Sequence, residues 1–201
     1  MKGWRTAARI PIHRNPLFTV EERGIERDGE RRSIVAIDTA DWVHVIPLLP
    51  DGRIVLVRQW RYATESFHLE LPGGIVDDPG EDRAAAEREL AEETGYRAGR
   101  WRRLGEVEPN PAIVDNRLTA WVATELERIP PEERPPVDEH EELEVVEVPL
   151  ERVPELVARG EIRHALMLSS FYLLGLAGGA AAFTALAAEG PEPAPPLRPR
   201  P

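Results

Sequence analysis

The sequence predicts a mixed α/β fold (α+β) with one main domain and a smaller N-terminal part. Short apolar runs separated by turn residues recur along most of the chain, which is typical of β-strands. A helical segment at residues 82–94 interrupts these runs and is followed by Gly95, a residue typical of a helix end. A second and more apolar helix is predicted at residues 163–176.

The first part of the chain is predicted to form a β-hairpin. Two β-type runs flank Asp28-Gly29, and an Asp-Gly pair between such runs is a strong hairpin signal. Because the hairpin precedes the main body, residues 1–40 are predicted to be an N-terminal β subdomain. The two runs cover residues 17–28 and 31–39.

The main domain is predicted to span residues 41–188. Its second strand follows a Pro-Asp-Gly turn at residues 50–52, and Pro72 ends the third strand. A proline-rich tail at residues 189–201 is predicted to be extended or disordered. The predicted strands cover residues 42–49, 53–60, 67–71, 101–107, 117–125 and 143–148, and a short helix covers residues 153–159.

Composition excludes several classes of protein. The net charge of −11 argues against a nucleic-acid surface, which is normally basic, but a metal and a few arginines can still create a site for a small anion. The absence of cysteine excludes disulfides and thiolate metal sites. The N-terminal stretch carries basic residues without the apolar run of a secretory signal, so a cytoplasmic location is expected.

One segment is long enough to cross a membrane. Residues 165–188 contain no charged residue, and a bilayer requires a span of about 20 apolar residues. Many of its residues are alanine or glycine, so a buried helix followed by an irregular stretch is the preferred interpretation, and a C-terminal membrane anchor is the alternative. We therefore expect neither a membrane nor a nucleic acid as partner.

The first helical segment carries a cluster of like charges. Residues three and four apart lie on one face of a helix, so Glu89 lies beside Glu92 and Glu93. Three neighbouring carboxylates repel one another unless a cation lies among them, and Mg²⁺, which prefers oxygen ligands, is the natural one. A solvated acidic helix face is the alternative. Asp78 or Asp82 is the predicted N-cap of this helix.

Residues 88–96, RELAEETGY, match every position in the second half of the signature of the Nudix hydrolases, and the chain resembles this family. In the first half the spacing differs, because six residues separate Gly74 from Glu81 and six more separate Glu81 from Arg88. Glu81 is therefore not assigned the role of the family's first glutamate. Enzymes of this family split a nucleoside diphosphate linked to another group. The resemblance implies an α/β/α sandwich with a mixed sheet.

The resemblance also implies a divalent metal site, with Mg²⁺ as the metal and Mn²⁺ as the alternative. Phosphoryl chemistry depends mainly on positioning and electrostatics, which a metal held by carboxylates supplies. The implied ligands are Glu89, Glu92 and Glu93, with Glu89 and Glu93 as the best pair, and the carbonyl oxygen of Gly73. Arg88 is expected to pair with a neighbouring carboxylate and to brace the loop.

Two further stretches resemble the ADP-ribose pyrophosphatase and nucleotide-sugar branch of the family. They are residues 57–61, VRQWR, and residues 69–74, LELPGG. The resemblance implies that Arg61 binds the diphosphate, because a guanidinium matches phosphate oxygens in a bidentate manner. It also implies that Arg58 and Glu70 are substrate contacts. For Arg58, ordinary surface charge is an equal alternative.

Residues 138–145, DEHEELEV, resemble the acidic loop that precedes a strand in this branch. In the branch this loop supplies a glutamate that acts on the catalytic water or the metal. Glu141 is the favoured residue here, and Glu139 and Glu142 are its rivals. A solvated acidic loop is the alternative for each of them.

The function that this resemblance implies is metal-dependent hydrolysis of the diphosphate bond of ADP-ribose or a related nucleoside diphosphate sugar. The products would be a nucleoside monophosphate and a sugar phosphate. A GDP-mannose-type hydrolase and a non-catalytic regulator that binds a nucleotide sugar are the alternatives. N-terminal strands are commonly exchanged between two subunits in this branch, so a homodimer is expected.

Overall fold

The computed structural model describes residues 2–136 and 142–178. Nine strands and three α-helices are named here in chain order. The strands are β1 Arg5–Arg14, β2 Phe18–Arg27, β3 Glu30–Thr39, β4 Trp42–Pro47, β5 Arg53–Arg61, β6 Ser66–Glu70, β7 Tyr96–Val107, β8 Leu118–Arg128 and β9 Leu143–Pro149. The helices are α1 Asp82–Glu89, α2 Val153–Ala158 and α3 Ala165–Gly178, with a π-helical turn at Leu90–Thr94 and a 3₁₀ turn at Leu150–Arg152.

The N-terminal part is an antiparallel sheet in the order β1-β2-β3. The predicted hairpin is β2 and β3, and Asp28 and Gly29 form its turn with φ angles of 49° and 88°. Strand β1 was not predicted from the sequence. It was missed because all ten of its residues are exposed, so its sequence carries no alternation of buried and exposed positions.

The N-terminal sheet is joined to the main domain through β3. The Ile37 N–H donates to the Ile113 carbonyl at 2.7 Å, and the Asp115 N–H donates to the Ile37 carbonyl at 3.3 Å. Arg23 of β2 also reaches Asp115, with 2.5 Å between Nη2 and Oδ2. These contacts place the loop between β7 and β8 directly against the N-terminal sheet.

The main domain contains two three-stranded sheets. In the order β4-β8-β7, β4 is parallel to β8 and β7 is antiparallel to it, which confirms the mixed sheet. The second sheet, β6-β5-β9, is antiparallel. Ala86 and Leu90 pack against one apolar cluster, whereas Met167 and Phe171 of α3 pack against the other. Helices therefore cover both sides of the strands, and the predicted α/β/α arrangement is confirmed.

The position of strand β5 in the fold explains the uninterrupted apolar run in its sequence. It lies between β6 and β9, and its Ile54, Val55, Leu56 and Val57 are all buried. Leu56 belongs to the cluster on the α3 side and Val55 to the cluster on the α1 side. A strand that is covered on both faces does not alternate between apolar and polar residues.

The start of α1 differs from the prediction. The N-cap residue is Glu81, which makes no side-chain capping bond, so the assignment of Asp78 or Asp82 as the cap is wrong. The Glu81 N–H instead donates to the Asp78 carbonyl at 3.0 Å, and Gly80 has a φ of 90°. Pro79 and Gly80 thus occupy the two central positions of a type II turn, which these residues favour. Pro79 belongs to this turn and not to the helix.

No helix in residues 2–136 and 142–178 is long and apolar enough to cross a membrane. Helix α3 contains 14 residues. The second half of the segment at residues 165–188 and the predicted tail at residues 189–201 lie outside the described residues.

Candidate active site

The predicted metal ligands lie where α1 passes into the π-helical turn. Glu89 is the last residue of α1, and the turn that follows contains Glu92 and Glu93 before it ends at Gly95 with a φ of 69°. A π-helical turn has i→i+5 bonds and is wider than an α-helical one, and such turns are frequent at functional sites. The sequence predicts a regular helix here, so this widening is a correction. Glu93 is buried within the turn.

Two glycines of the loop before α1 face two of these glutamates. The Gly73 N–H donates to Glu93 Oε2 at 2.9 Å. The Glu89 carboxylate lies against Gly74, because a Cβ built on Gly74 would be 2.3 Å from Glu89 Oε1. The structure therefore brings together three of the four predicted ligand residues, which are Gly73, Glu89 and Glu93.

Arg88 links the fourth, Glu92, to the same group. Its guanidinium lies 2.9 Å from Glu89 Oε1 and 3.2 Å from Glu92 Oε2. It also donates to the Ile75 carbonyl and to Asp77, each at 3.0 Å. The predicted structural role of Arg88 is confirmed, since this one cation offsets the repulsion between carboxylates and braces the loop.

Backbone pairing with β4 fixes the loop. The Val43 N–H donates to the Gly74 carbonyl and the Val45 N–H to the Pro72 carbonyl, both at 2.9 Å. Gly73, between them, directs its N–H to Glu93. The N–H and C=O of a residue in extended backbone point to the same side, so the Gly73 carbonyl also faces away from β4. A Cβ on Gly73 would lie 2.1 Å from the Val43 carbonyl oxygen, so the close approach requires glycine.

Alanine substitutions of the two glycines are expected to have different effects. Gly73→Ala should destabilise the fold by about 3 kcal/mol, because its methyl group meets the rigid Val43 backbone. Gly74→Ala should leave stability nearly unchanged, because it meets only the mobile end of Glu89, but it should weaken metal binding about tenfold. Urea unfolding and Mg²⁺ titration measure the two effects. Equal losses of stability in both variants would contradict this assignment.

The donor atoms fit a hard divalent cation. They are carboxylate and carbonyl oxygens, the ligands that Mg²⁺ prefers. Within the part of the chain that the structure describes, no group of three or more Asp, Glu or His side chains is arranged to bind a metal ion.

Arg61 and Glu70 are paired with each other. Arg61 Nη2 lies 2.6 Å from Glu70 Oε2, and Arg61 Nε lies 3.2 Å from Glu70 Oε1. Burial alone would raise the pKa of Glu70, but His164 and Arg61 stabilise the carboxylate and lower that pKa to about 2. Glu70 is 3% exposed, whereas the Arg61 side chain is half exposed. Arg61 can therefore reach a ligand, and Glu70 holds its guanidinium in place.

Arg58 lies apart from the pair of Arg61 and Glu70. It lies on the opposite face of β5 from Arg61, because successive residues of a strand alternate in direction. Arg58 Nη1 donates to Glu144 Oε2 of β9 at 3.0 Å, and both side chains are exposed. This arrangement is that of a cross-strand surface pair.

The acidic loop is described only at its end. Glu139 and Glu141 lie outside the described residues, and Glu142 is exposed immediately before β9. Leu143, the next residue, pairs with Gln59 in β5. The end of the loop therefore lies at the same level of the sheet as Arg61.

A cavity of about 270 Å³ lies between the N-terminal sheet and the loop before β8. Its polar lining includes Asn116, which is 2% exposed and donates through Nδ2 to the Ala40 carbonyl at 3.0 Å. Asn116 Oδ1 has no hydrogen-bond partner among the residues described. The cavity is lined by Arg23, Ile34, Ala36, Glu108, Pro111, Ala112, Ile113, Val114, Asp115 and Asn116.

This cavity is separated from the Gly73-Gly74 loop by one strand. The Trp42 N–H at the start of β4 donates to the Arg117 carbonyl at 2.8 Å, and Trp42 also pairs with Ile75. Sequence reasoning missed Asp115 and Asn116, because nothing in their local pattern indicates that β3 lies across from them.

Comparisons with known proteins define the class. The chain belongs to the Nudix family, because the model of the NUDIX domain matches residues 39–171.

Individual relatives point to one branch. The ADP-ribose pyrophosphatase of Bacillus subtilis (strain 168) is 34% identical over 120 residues, which is 60% of this chain and 64% of that protein. The ADP compounds hydrolase NudE of Escherichia coli (strain K12) is 30% identical over 167 residues, covering 81% of this chain and 87% of that one. A crystal structure of an ADP compounds hydrolase is 26% identical, with a TM-score of 0.76 over 89% of this chain and 97% of its own. The resemblance to the ADP-ribose pyrophosphatase branch is confirmed.

Proposed function

We propose that this chain is a metal-dependent diphosphatase that cleaves ADP-ribose or a related nucleoside diphosphate sugar into a nucleoside monophosphate and a sugar phosphate. The observation that carries the proposal is the contact of the Gly73-Gly74 loop with Glu89 and Glu93. The names of the relatives support the substrate class.

The roles of the residues follow from their positions. Glu89, Glu93 and the Gly73 carbonyl would hold Mg²⁺ or Mn²⁺, and Glu92 would complete the set. A bound divalent cation neutralises phosphate charge and lowers the pKa of an attacking water. Arg61 would bind the diphosphate oxygens in a bidentate manner, and its half-exposed guanidinium supports this role. Glu70 would act mainly by holding Arg61 before the substrate binds.

A carboxylate from the acidic loop would orient the water. Glu141 remains the favoured residue, with Glu139 and Glu142 as rivals. The described end of this segment supports the proposal, because Leu143 pairs with Gln59, two residues before Arg61 in β5. Comparing kcat among the three single Glu→Gln variants identifies the residue, because only the true participant should lose most of its turnover.

The cavity supports a substrate with a neutral, hydroxyl-bearing or amine-bearing end. Its polar lining includes the acceptors Glu108, Asp115 and Asn116, while Arg23 is already engaged by Glu21 and Asp115. Its walls are otherwise apolar. Such a lining accepts hydrogen bonds from a sugar or a nucleobase and repels an additional phosphate.

A turnover panel tests the function. ADP-ribose, GDP-mannose, UDP-glucose and NADH are incubated with the protein in Mg²⁺ and then in Mn²⁺. We expect AMP and ribose 5-phosphate from ADP-ribose at the highest kcat/KM. A preference for GDP-mannose would favour the GDP-mannose-type enzyme, and binding without turnover in either metal would favour the non-catalytic regulator.

We also propose that the chain forms a homodimer through the N-terminal sheet. Strand β1 is exposed along its whole length, and its Ile10 and Ile12 are 57% and 59% exposed. A sheet edge with exposed apolar residues is a ready site for pairing with another chain. The proposed partner is a second copy of the same chain.

Sedimentation at micromolar concentration is expected to show a dimer. Replacing Ile10 and Ile12 together with Asp should shift the protein to a monomer, because it places charges within the pairing surface. Leu176→Asp, at a similarly exposed apolar residue of α3, is the matched control and should leave the dimer intact. A wild-type monomer would contradict the proposal.

The division into an N-terminal subdomain at residues 1–40 and a main domain at residues 41–188 is part of this proposal. It is supported by the end of β3 at Thr39 and by the start of the family match at residue 39. A cytoplasmic location is likewise proposed, and cell fractionation tests it.

A further inference from the structure

The Glu70 carboxylate is flanked by two histidines in addition to Arg61. His68 Nδ1 lies 3.6 Å from Glu70 Oε1, and His164 Nδ1 lies 3.6 Å from Glu70 Oε2. Each distance is longer than an ordinary hydrogen bond. His164 Nδ1 is buried and has no hydrogen-bond partner within residues 2–136 and 142–178. One imidazole nitrogen thus lies near each oxygen of a buried carboxylate without yet bonding to it.

The Nε2 atom of His68 lies among polar side chains of neighbouring residues. Arg163 Nη2 lies 3.4 Å from His68 Nε2, and an arginine can only donate. The Thr64 hydroxyl lies 2.9 Å from the same nitrogen. Burial and then the charge of Arg163 lower the pKa of His68, so the ring is neutral at pH 7. The other ring nitrogen, Nδ1, is the one that faces Glu70.

The ring of His164 is held from behind by a second buried histidine. Its ring centroid lies 5.7 Å from that of His44 in an edge-to-face arrangement. Ser170 donates to the Leu166 carbonyl at 3.0 Å, so its oxygen accepts from His44 Nδ1 at 3.1 Å. Ser170 of helix α3 therefore positions the His44 ring, and His44 packs against the His164 ring.

When a diphosphate binds Arg61, the Glu70 carboxylate needs another hydrogen-bond donor, and these histidines can supply one. When Arg61 turns toward phosphate oxygens, its bidentate pair with Glu70 is weakened or lost. A buried carboxylate without a partner is strongly disfavoured. Closing either Nδ1 contact to hydrogen-bond length requires a movement of only about 0.8 Å. Hydrogen bonds at active sites are often long before the substrate binds and shorten in its complex.

We propose that His68 and His164 are positioning residues that take over the Glu70 carboxylate when Arg61 engages the substrate diphosphate. This inference rests on the proposed function, since it requires Arg61 to bind the diphosphate. The two histidines then lower the cost of releasing Arg61 and keep Glu70 in place for its return. His164, the residue immediately before α3, thereby becomes part of the substrate clamp.

A pair of substitutions at residue 164 tests the proposal. In His164→Asn the side-chain amide nitrogen takes the place of Nδ1, whereas His164→Leu is of similar size and has no donor. We expect His164→Leu to raise KM and the Kd for ADP-ribose about tenfold with kcat unchanged, because binding and not chemistry is affected. His164→Asn should remain within about twofold of wild type. Ser169→Ala, on the same helix, is the control.

A double-mutant cycle separates positioning from a purely structural role. In an Arg61→Lys background, His164→Leu should have little further effect on Kd, because residues that act through one another are not additive. Additive effects on Kd, or a His164→Leu variant indistinguishable from wild type, would overturn the proposal. Equal losses of affinity in the His164→Asn and His164→Leu variants, each in proportion to the loss of thermal stability, would also overturn it. If the wild type neither binds nor hydrolyses any nucleotide sugar, the proposed function itself is wrong and this role is lost with it.

Discussion

Glu93→Gln is expected to reduce kcat about a thousandfold while the protein stays folded, since a metal ligand supplies several kcal/mol of transition-state stabilisation. The amide oxygen of glutamine can still accept the Gly73 N–H, so the loop keeps its anchor. What the variant loses is the negative charge that would hold the cation. Turnover of ADP-ribose at saturating Mg²⁺, together with urea unfolding, measures the two parts of this expectation.

Glu87→Gln is the matched control for that experiment. It makes the same chemical change on the same helix, at an exposed carboxylate that pairs only with Arg83 among its described ion pairs. Its turnover should equal that of the wild type. If Glu93→Gln also retained wild-type turnover, the assignment of Glu93 as a metal ligand would be wrong.

The second large effect is expected in the acid stability of the metal-free protein. Burial, together with the charges of His164 and Arg61, lowers the pKa of His44 to about 3, against the opposing influence of Glu70 and the Leu166 carbonyl. The folded protein therefore resists protonation of His44, while the unfolded chain takes up a proton below pH 6.5. Stability must fall as the pH falls from about 6.5 to 3, by up to about 5 kcal/mol.

Glu70 adds to this acid sensitivity over a lower range. Its pKa of about 2 lies below that of the unfolded chain, near 4.5, so its stabilising contribution is lost between those values. Urea unfolding from pH 8 to pH 4, compared between the wild type and a variant at His44, measures the contribution of His44. His44→Asn, which keeps a donor for Ser170 but does not titrate, should be less stable at pH 8 and show a flatter pH dependence. An equally steep dependence in that variant would contradict the role of His44.

Sequence patterns predicted most of the fold because most of its elements carry a local signal. Asp28-Gly29 is a hairpin turn in any context, and the buried run of β5 needs only its own residues to be recognised. Strand β1 carries no such signal, since both of its faces are exposed and only pairing with β2 defines it. Only one of the two predicted N-caps, Asp78, would have placed residues 79–81 in the helix, because Pro-Gly and helix-start signals overlap there.

The part of the candidate site that was predicted also carries a local sequence signal. Glu89, Glu92 and Glu93 lie within one short motif, so spacing alone places them together. The widened turn that buries Glu93 depends on tertiary packing, which no spacing encodes. The contact between His164 and Glu70 joins residues far apart in the chain, and the histidines follow no recognisable pattern. Likewise, the pairing of Arg61 with Glu70 is visible only once β5 and β6 are aligned.

The type II turn at Pro79-Gly80 affects how readily the loop before α1 accepts a ligand. Proline at the first central position fixes φ and so restricts the unfolded chain, whereas glycine at the second permits the positive φ that the turn requires. The loop therefore needs little ordering when a substrate arrives, and little binding free energy is spent on immobilising it. The turn also places Glu81 about 12 Å along the helix axis from Glu89, which keeps Glu81 away from the cluster of carboxylates at Glu89 and Glu93.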